Sequence, residues 1–137
     1  MAKITEINHQ IHLLFQQYGI KSLTMDDLAQ KLGCSKKTLY IYYANRADLV
    51  YKVISQDLES HLSNIQSIFD LKKHPIDEFF LLNELDLKKL KTVHPSTLYD
   101  LHKYYPKTWK KFDEVTKKKG YEFILSNLKR GIELDVY

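Results

Sequence analysis

A single cysteine, Cys34, stands in the 137-residue chain. With no second thiol there is neither an intrachain disulfide nor a multi-thiolate metal site, and a reducing cytoplasm is the natural setting. Cys34 sits beside a turn without an adjacent acid-base partner, so it reads as packing and not as a reactive thiol. The four glycines are scattered and form no phosphate-cradling loop, and neither a Gly-x-Ser-x-Gly elbow nor a His-Glu-x-x-His zinc helix occurs. Six histidines share no ligand spacing. No metal, no cofactor and no enzymatic activity are therefore expected. No apolar run approaches the ~20 residues of a membrane span and the amino terminus has no signal-peptide pattern, which argues against a membrane partner. Alternating strand patterns, internal repeats and low-complexity tracts are also missing.

What remains is an ordinary globular composition, 44% hydrophobic and 28% charged, rich enough in apolar side chains for a core. The formal charge of +4 suits a polyanionic partner without requiring one. Its distribution is informative: residues 1–54 hold seven Lys/Arg against four Asp/Glu, whereas residues 55–137 hold fourteen against thirteen.

The periodicity is helical throughout. Ile4, Ile7, Ile11, Leu14, Phe15 and Tyr18 fall on one stripe, and Gly19 follows as a stop. Thr24 and Asp27 form a capping arrangement for a short helix that turns Leu28, Ala29 and Leu32 inward and ends at Gly33. Ser35 opens a second short helix through Lys36, Lys37, Thr38, Leu39 and Tyr40. Asn45 with Asp48 starts a long helix continuing through Leu49, Val53, Leu58, Leu62, Ile65 and Phe69. Pro75, Pro95 and Pro106 each read as first-turn residues of later helices, and Gly120 as a break before a last segment. Lys117, Lys118 and Lys119 then read as a solvated helix end, with a second DNA contact as the alternative.

Two short helices meeting at a glycine turn are the ingredients of a helix-turn-helix, in which the first helix braces and the amino-terminal turn of the second enters the major groove. Lys36, Lys37 and Thr38 occupy that turn, where long cations reach guanine edges or phosphates. The competing reading is two short helices of an unrelated bundle with solvated lysines.

Residues 23–50, Leu-Thr-Met-Asp-Asp-Leu-Ala-Gln-Lys-Leu-Gly-Cys-Ser-Lys-Lys-Thr-Leu-Tyr-Ile-Tyr-Tyr-Ala-Asn-Arg-Ala-Asp-Leu-Val, closely resemble the DNA-binding head of the TetR (tetracycline-repressor) family. The family pattern is met by Thr38, Leu39, Tyr40 and Tyr43, with Arg46 where the family has a lysine. The resemblance implies an all-α fold: a three-helix head, residues 1–47, joined by a long helix to a ligand-binding bundle, residues 48–137. It implies that Ser35, Lys36, Lys37 and Thr38 face DNA, that Tyr40 and Tyr42 touch backbone or bases, that Thr24 and Arg46 hold phosphates, and that Tyr43 and Leu49 are core. The implied partners are a double-stranded operator, a second copy of the chain and a small-molecule effector that releases a repressor from DNA. Phe79, Tyr99, Tyr104 and Trp109, with Tyr105, are the candidate lining of its pocket. Family members commonly continue into two further helices that make the dimer contact and would begin just after Tyr137, so either the chain is a truncated piece or its dimer contact is atypical. An interaction module without DNA-linked regulation is the remaining alternative.

Overall fold

The structure, a computed structural model, describes residues 2–137. Its helices are α1 (Ala2–Tyr18), α2 (Met25–Leu32), α3 (Lys36–Tyr42), α4 (Arg46–Asp70), α5 (Pro75–Thr92), α6 (Thr97–Tyr104) and α7 (Pro106–Glu133), and no strand occurs among the described residues. Among these residues no helix is long and apolar enough to cross a membrane.

The helix starts are where short polar side chains can satisfy free amides. The Thr24 hydroxyl accepts from the Asp27 amide at 3.0 Å while the Asp27 carboxylate accepts from the Thr24 amide at 2.9 Å, closing the box that opens α2. Gly33 ends α2 at φ +70°, a left-handed geometry that costs a side-chain-free residue nothing. Asn45 Oδ1 accepts from the Asp48 amide at 2.8 Å, and Asp48 in turn accepts from the Ala44 amide at 2.9 Å. Pro75 and Pro106 begin α5 and α7, where a missing amide hydrogen is harmless.

Two expectations are corrected. Pro95 does not open a helix: it lies ahead of the Ser96 cap, and α6 starts at Thr97. Gly120 does not break the last segment but lies inside the 28-residue α7, so Lys117, Lys118 and Lys119 are mid-helix and not at a helix end. An interior glycine costs roughly 1 kcal/mol relative to alanine, little against the stability of a 28-residue helix.

The central core joins Ile11 and Phe15 of α1, Leu28 of α2, Leu39 of α3, the linker residue Tyr43, Leu49, Val50 and Val53 of α4, and Leu101 of α6, all at most 2% exposed. Helix α4 thus packs into the head through its first two turns and runs on into the body. Tyr105, Trp109 and Phe112 lie against the same cluster from the body side.

Two histidines line the seam between α1, α4 and α5. His12 Nε2 is 3.1 Å from Asp57 Oδ1, and its Nδ1 is enclosed without a partner. Burial holds its pKa below the ordinary 6.5, against the pull of Asp57 and assisted by Lys89 and His9. Burial lowers His61 as well, with Lys89 pushing the same way and Asp86 and Asp57 opposing. The unfolded chain therefore binds protons that the folded chain refuses, so this stability is present above pH 6.5 and is lost as pH falls below it. Melting temperature should drop between about pH 7.5 and 5.5, where carboxylates remain ionised, and a His12→Gln variant should show a shallower drop. Equal slopes for the two proteins in a thermal-melt series would contradict this account.

Candidate nucleic-acid interface

Helix α3 has seven residues, too few to persist unaided, so its position depends on what holds it. At its start the Ser35 hydroxyl accepts from the Thr38 amide at 3.1 Å and lies 2.9 Å from the Thr38 hydroxyl. Leu39 and Tyr43, one turn apart, are 1% and 0% exposed and anchor the inner face. At its end the Lys52 ammonium donates to the Tyr42 carbonyl at 3.2 Å, placing a cation at the negative pole of the helix.

The Tyr43 anchor carries a polar network. Its hydroxyl donates to Asn8 Oδ1, Asn8 Nδ2 donates to Gln56 Oε1 at 2.9 Å, and Gln56 Nε2 donates to the Thr5 carbonyl at 2.9 Å. One relay thus ties the end of α3 to both α1 and α4. Burial pushes the Tyr43 phenol well up, so it stays a donor at any physiological pH.

With the inner face fixed, the outer face of α3 is determined. Ser35, Lys36, Lys37 and Tyr40 are exposed, Thr38 and Tyr42 half-buried. Lys36 lies 3.5 Å from Asp26 in an exposed pair of little energetic weight. Lys37 forms no ion pair with any described residue. Thr24 is exposed beside this surface at the start of α2. Ile41, 72% exposed between the two anchors, completes the face and was not among the residues expected there. Its signal was available: if Leu39 and Tyr43 point inward, a residue midway between them points out.

Arg46 lies elsewhere than a phosphate-holding role would suggest. Its Nε donates to the Tyr105 hydroxyl at 2.7 Å and a terminal nitrogen donates to the Ile20 carbonyl at 2.6 Å, while the other terminal nitrogen is enclosed. It therefore bridges the α1–α2 loop to the start of α7. Around it the Lys21 amide reaches the buried Asp100 carboxylate at 3.4 Å, and the Lys21 ammonium donates to the Tyr104 hydroxyl at 2.8 Å. Gly19, at φ +82°, lets the loop come so near α6 that a Cβ there would stand 2.9 Å from Ser96 Oγ. The head is clamped to α6 at this point.

The four aromatics expected to line an effector pocket are not brought together. Phe79 borders a hollow between α5 and α7, whereas Tyr104 borders a different one beside Ala44 and Tyr51. Tyr99 is 61% exposed, and Trp109 packs edge-on against His102 and beside Phe112. A larger cleft of about 720 Å³ lies at the far end of α4, walled by the stacked rings of Phe69 and Phe123 and rimmed by Lys72, Lys73, Glu122 and Arg130. Sequence reasoning missed it because its wall comes from helices distant in the chain. Among the described residues no group of three or more metal-ligating side chains gathers.

A braced, capped recognition helix with cations on its outer face, set on a helical body, defines a helix-turn-helix DNA-binding protein. The family described as "Bacterial regulatory proteins, tetR family" matches residues 11–53. The chain is 26% identical over 147 aligned positions to the HTH-type transcriptional regulator SAUSA300_2515 of Staphylococcus aureus (strain USA300), covering 95% of this chain and 78% of the relative. It is 25% identical, with the same coverage, to SAB2452 of the bovine strain RF122 / ET3-1. The crystal structure of the TetR family transcriptional regulator PfmR from Thermus thermophilus shares the fold with a TM-score of 0.75 at 21% identity, over 96% of this chain and 72% of that one. The head of the chain thus matches that family, and most of the chain is similar to DNA-binding transcriptional regulators.

The clamp yields a prediction about Arg46. Arg46→Ala removes two charge-assisted hydrogen bonds and should destabilise the fold by about 2 kcal/mol. The salt dependence of DNA binding should stay unchanged. A variant with unaltered melting temperature whose salt slope fell by about one would show that Arg46 serves a phosphate instead.

Proposed function

We propose that this regulator is a repressor that binds a double-stranded operator as a homodimer and is released by a small-molecule effector. The observation that carries the reading is the outer face of α3. Lys36 and Lys37 project from the first turn of a helix held at both ends, with Thr38, Tyr40 and Tyr42 following along it. In this reading Lys37 reads base edges, Ser35, Tyr40 and Tyr42 touch backbone or bases, and Thr24 with Lys36 holds phosphates. Residues 1–47 form the reading head and residues 48–137 the body in which an effector acts. Two heads then meet half-sites one helical turn, 34–36 Å, apart.

The architecture of α4 supports this reading: its first turns are part of the head core and its last turn walls the 720 Å³ cleft. An effector that prefers a body with α4 tilted withdraws the paired heads from their spacing, with a coupling of about 1–3 kcal/mol. Coupling is reciprocal, so operator DNA weakens effector binding by the same factor.

Lys37→Ala should weaken operator binding and broaden its sequence preference, measured by binding-site selection followed by titration at several salt concentrations. Unchanged preference together with a slope lower by about one would move Lys37 to the phosphate-holding group. Loss of salt dependence altogether in the parent protein would overturn the DNA-binding surface itself.

A further inference from the structure

Helix α3 carries two wholly aliphatic side chains, Leu39 and Ile41, and they meet opposite fates. Leu39 is 1% exposed and Ile41 is 72% exposed. At about 3.6 residues per turn, Ile41 stands just over half a turn from Leu39 and points away from the core that Leu39 and Tyr43 enter. Its neighbour on that outermost ridge is Lys37, four residues earlier and so one turn back. The exposed Tyr40 and the half-buried Tyr42 flank it, and Tyr42 leans on the core cluster. A lone exposed isoleucine is ordinary on most protein surfaces. On this ridge it faces whatever α3 is inserted into.

We propose that Ile41 determines operator specificity by packing on the C5-methyl group of a thymine in each half-site. The inference rests on the reading of α3 as the helix that enters the major groove, and it assigns one base that the helix selects. Base edges in that groove present nitrogen and oxygen donors and acceptors, and the thymine methyl is the apolar group among them. Against thymine, Ile41 withdraws two apolar surfaces from water. Against a base without that methyl, the same side chain dehydrates an amino group or a ring acceptor and offers it no partner, so those bases are disfavoured. The ridge also sets where the thymine lies. Four residues at 1.5 Å each separate Ile41 from Lys37 by about 6 Å, against a base spacing of about 3.4 Å. The thymine therefore falls within about two base steps of the base that Lys37 meets, and the two side chains read by different chemistry, one by charge-assisted hydrogen bonding and the other by apolar contact.

The test uses duplexes recovered by binding-site selection with the full chain, in which single thymines are replaced by deoxyuridine. That exchange deletes the methyl and keeps the base pair. One thymine position per half-site should emerge whose replacement weakens binding about fourfold, and about fifteenfold when both half-sites are changed, as expected for one lost methyl contact in each. Ile41→Ala should lose at least as much on the thymine duplex and be indifferent to the replacement, whereas Ile41→Val, still branched, should remain sensitive to it. Because Ile41 is exposed, both variants should melt with the parent. A parent protein that ignores every replacement overturns the assignment. So do deoxyuridine and Ile41→Ala losses that multiply, since the methyl then has another reader and Ile41 touches only sugar or phosphate. In both cases sequence selection and salt dependence that persist leave the operator reading standing. A chain that selects no sequence overturns the operator reading and the Ile41 assignment together.

Discussion

A seven-residue helix has almost no stability of its own, and everything this protein does with DNA requires one such helix to be fixed in space. The structure meets that constraint from three directions. A hydroxyl caps the start, an ammonium caps the end, and two fully enclosed side chains pin the inner face. The Tyr43 hydroxyl extends the pin through Asn8 and Gln56, so that α1 and α4 hold α3 by directional bonds as well as by packing. A buried relay of this kind fixes orientation because any rotation of α3 would leave an unsatisfied polar group in the core.

The second organising contact is the clamp between head and body. Arg46, Lys21 and Gly19 bring three different physical means to one place: charge-assisted hydrogen bonds, an ammonium on a phenol, and backbone approach without a Cβ. The result is a core in which α4 and Leu101 of α6 continue the packing of the head. Head and body therefore meet across a packed seam, not a flexible linker.

Much of this was legible in the chain. Thr24 with Asp27, Gly33, Ser35, and Asn45 with Asp48 announce their caps because capping is local: donor and acceptor lie within four residues. For the same reason the two short helices, with Lys36, Lys37 and Thr38 in the first turn of the second, followed from spacing. The inward bonds of Arg46 were not legible because its partners are 26 and 59 residues away, and a surface cation near the DNA face looks the same in sequence as one turned inward. Pro95 and Gly120 misled because each is a strong local signal that tertiary packing overrides. The aromatics of the body were recognisable as apolar, but their grouping into cavities is set by helix crossings that no local pattern encodes.

A continuous 25-residue α4 is about 37 Å long at 1.5 Å per residue. Geometrically it is a lever, and levers convert small angles into large arcs. If its distal end is the pivot, a swing of about 5° carries the other end through about 3 Å, close to the 3.4 Å rise of one base step along a DNA strand. On a lever of that length, a few degrees at one end correspond to one base step at the other.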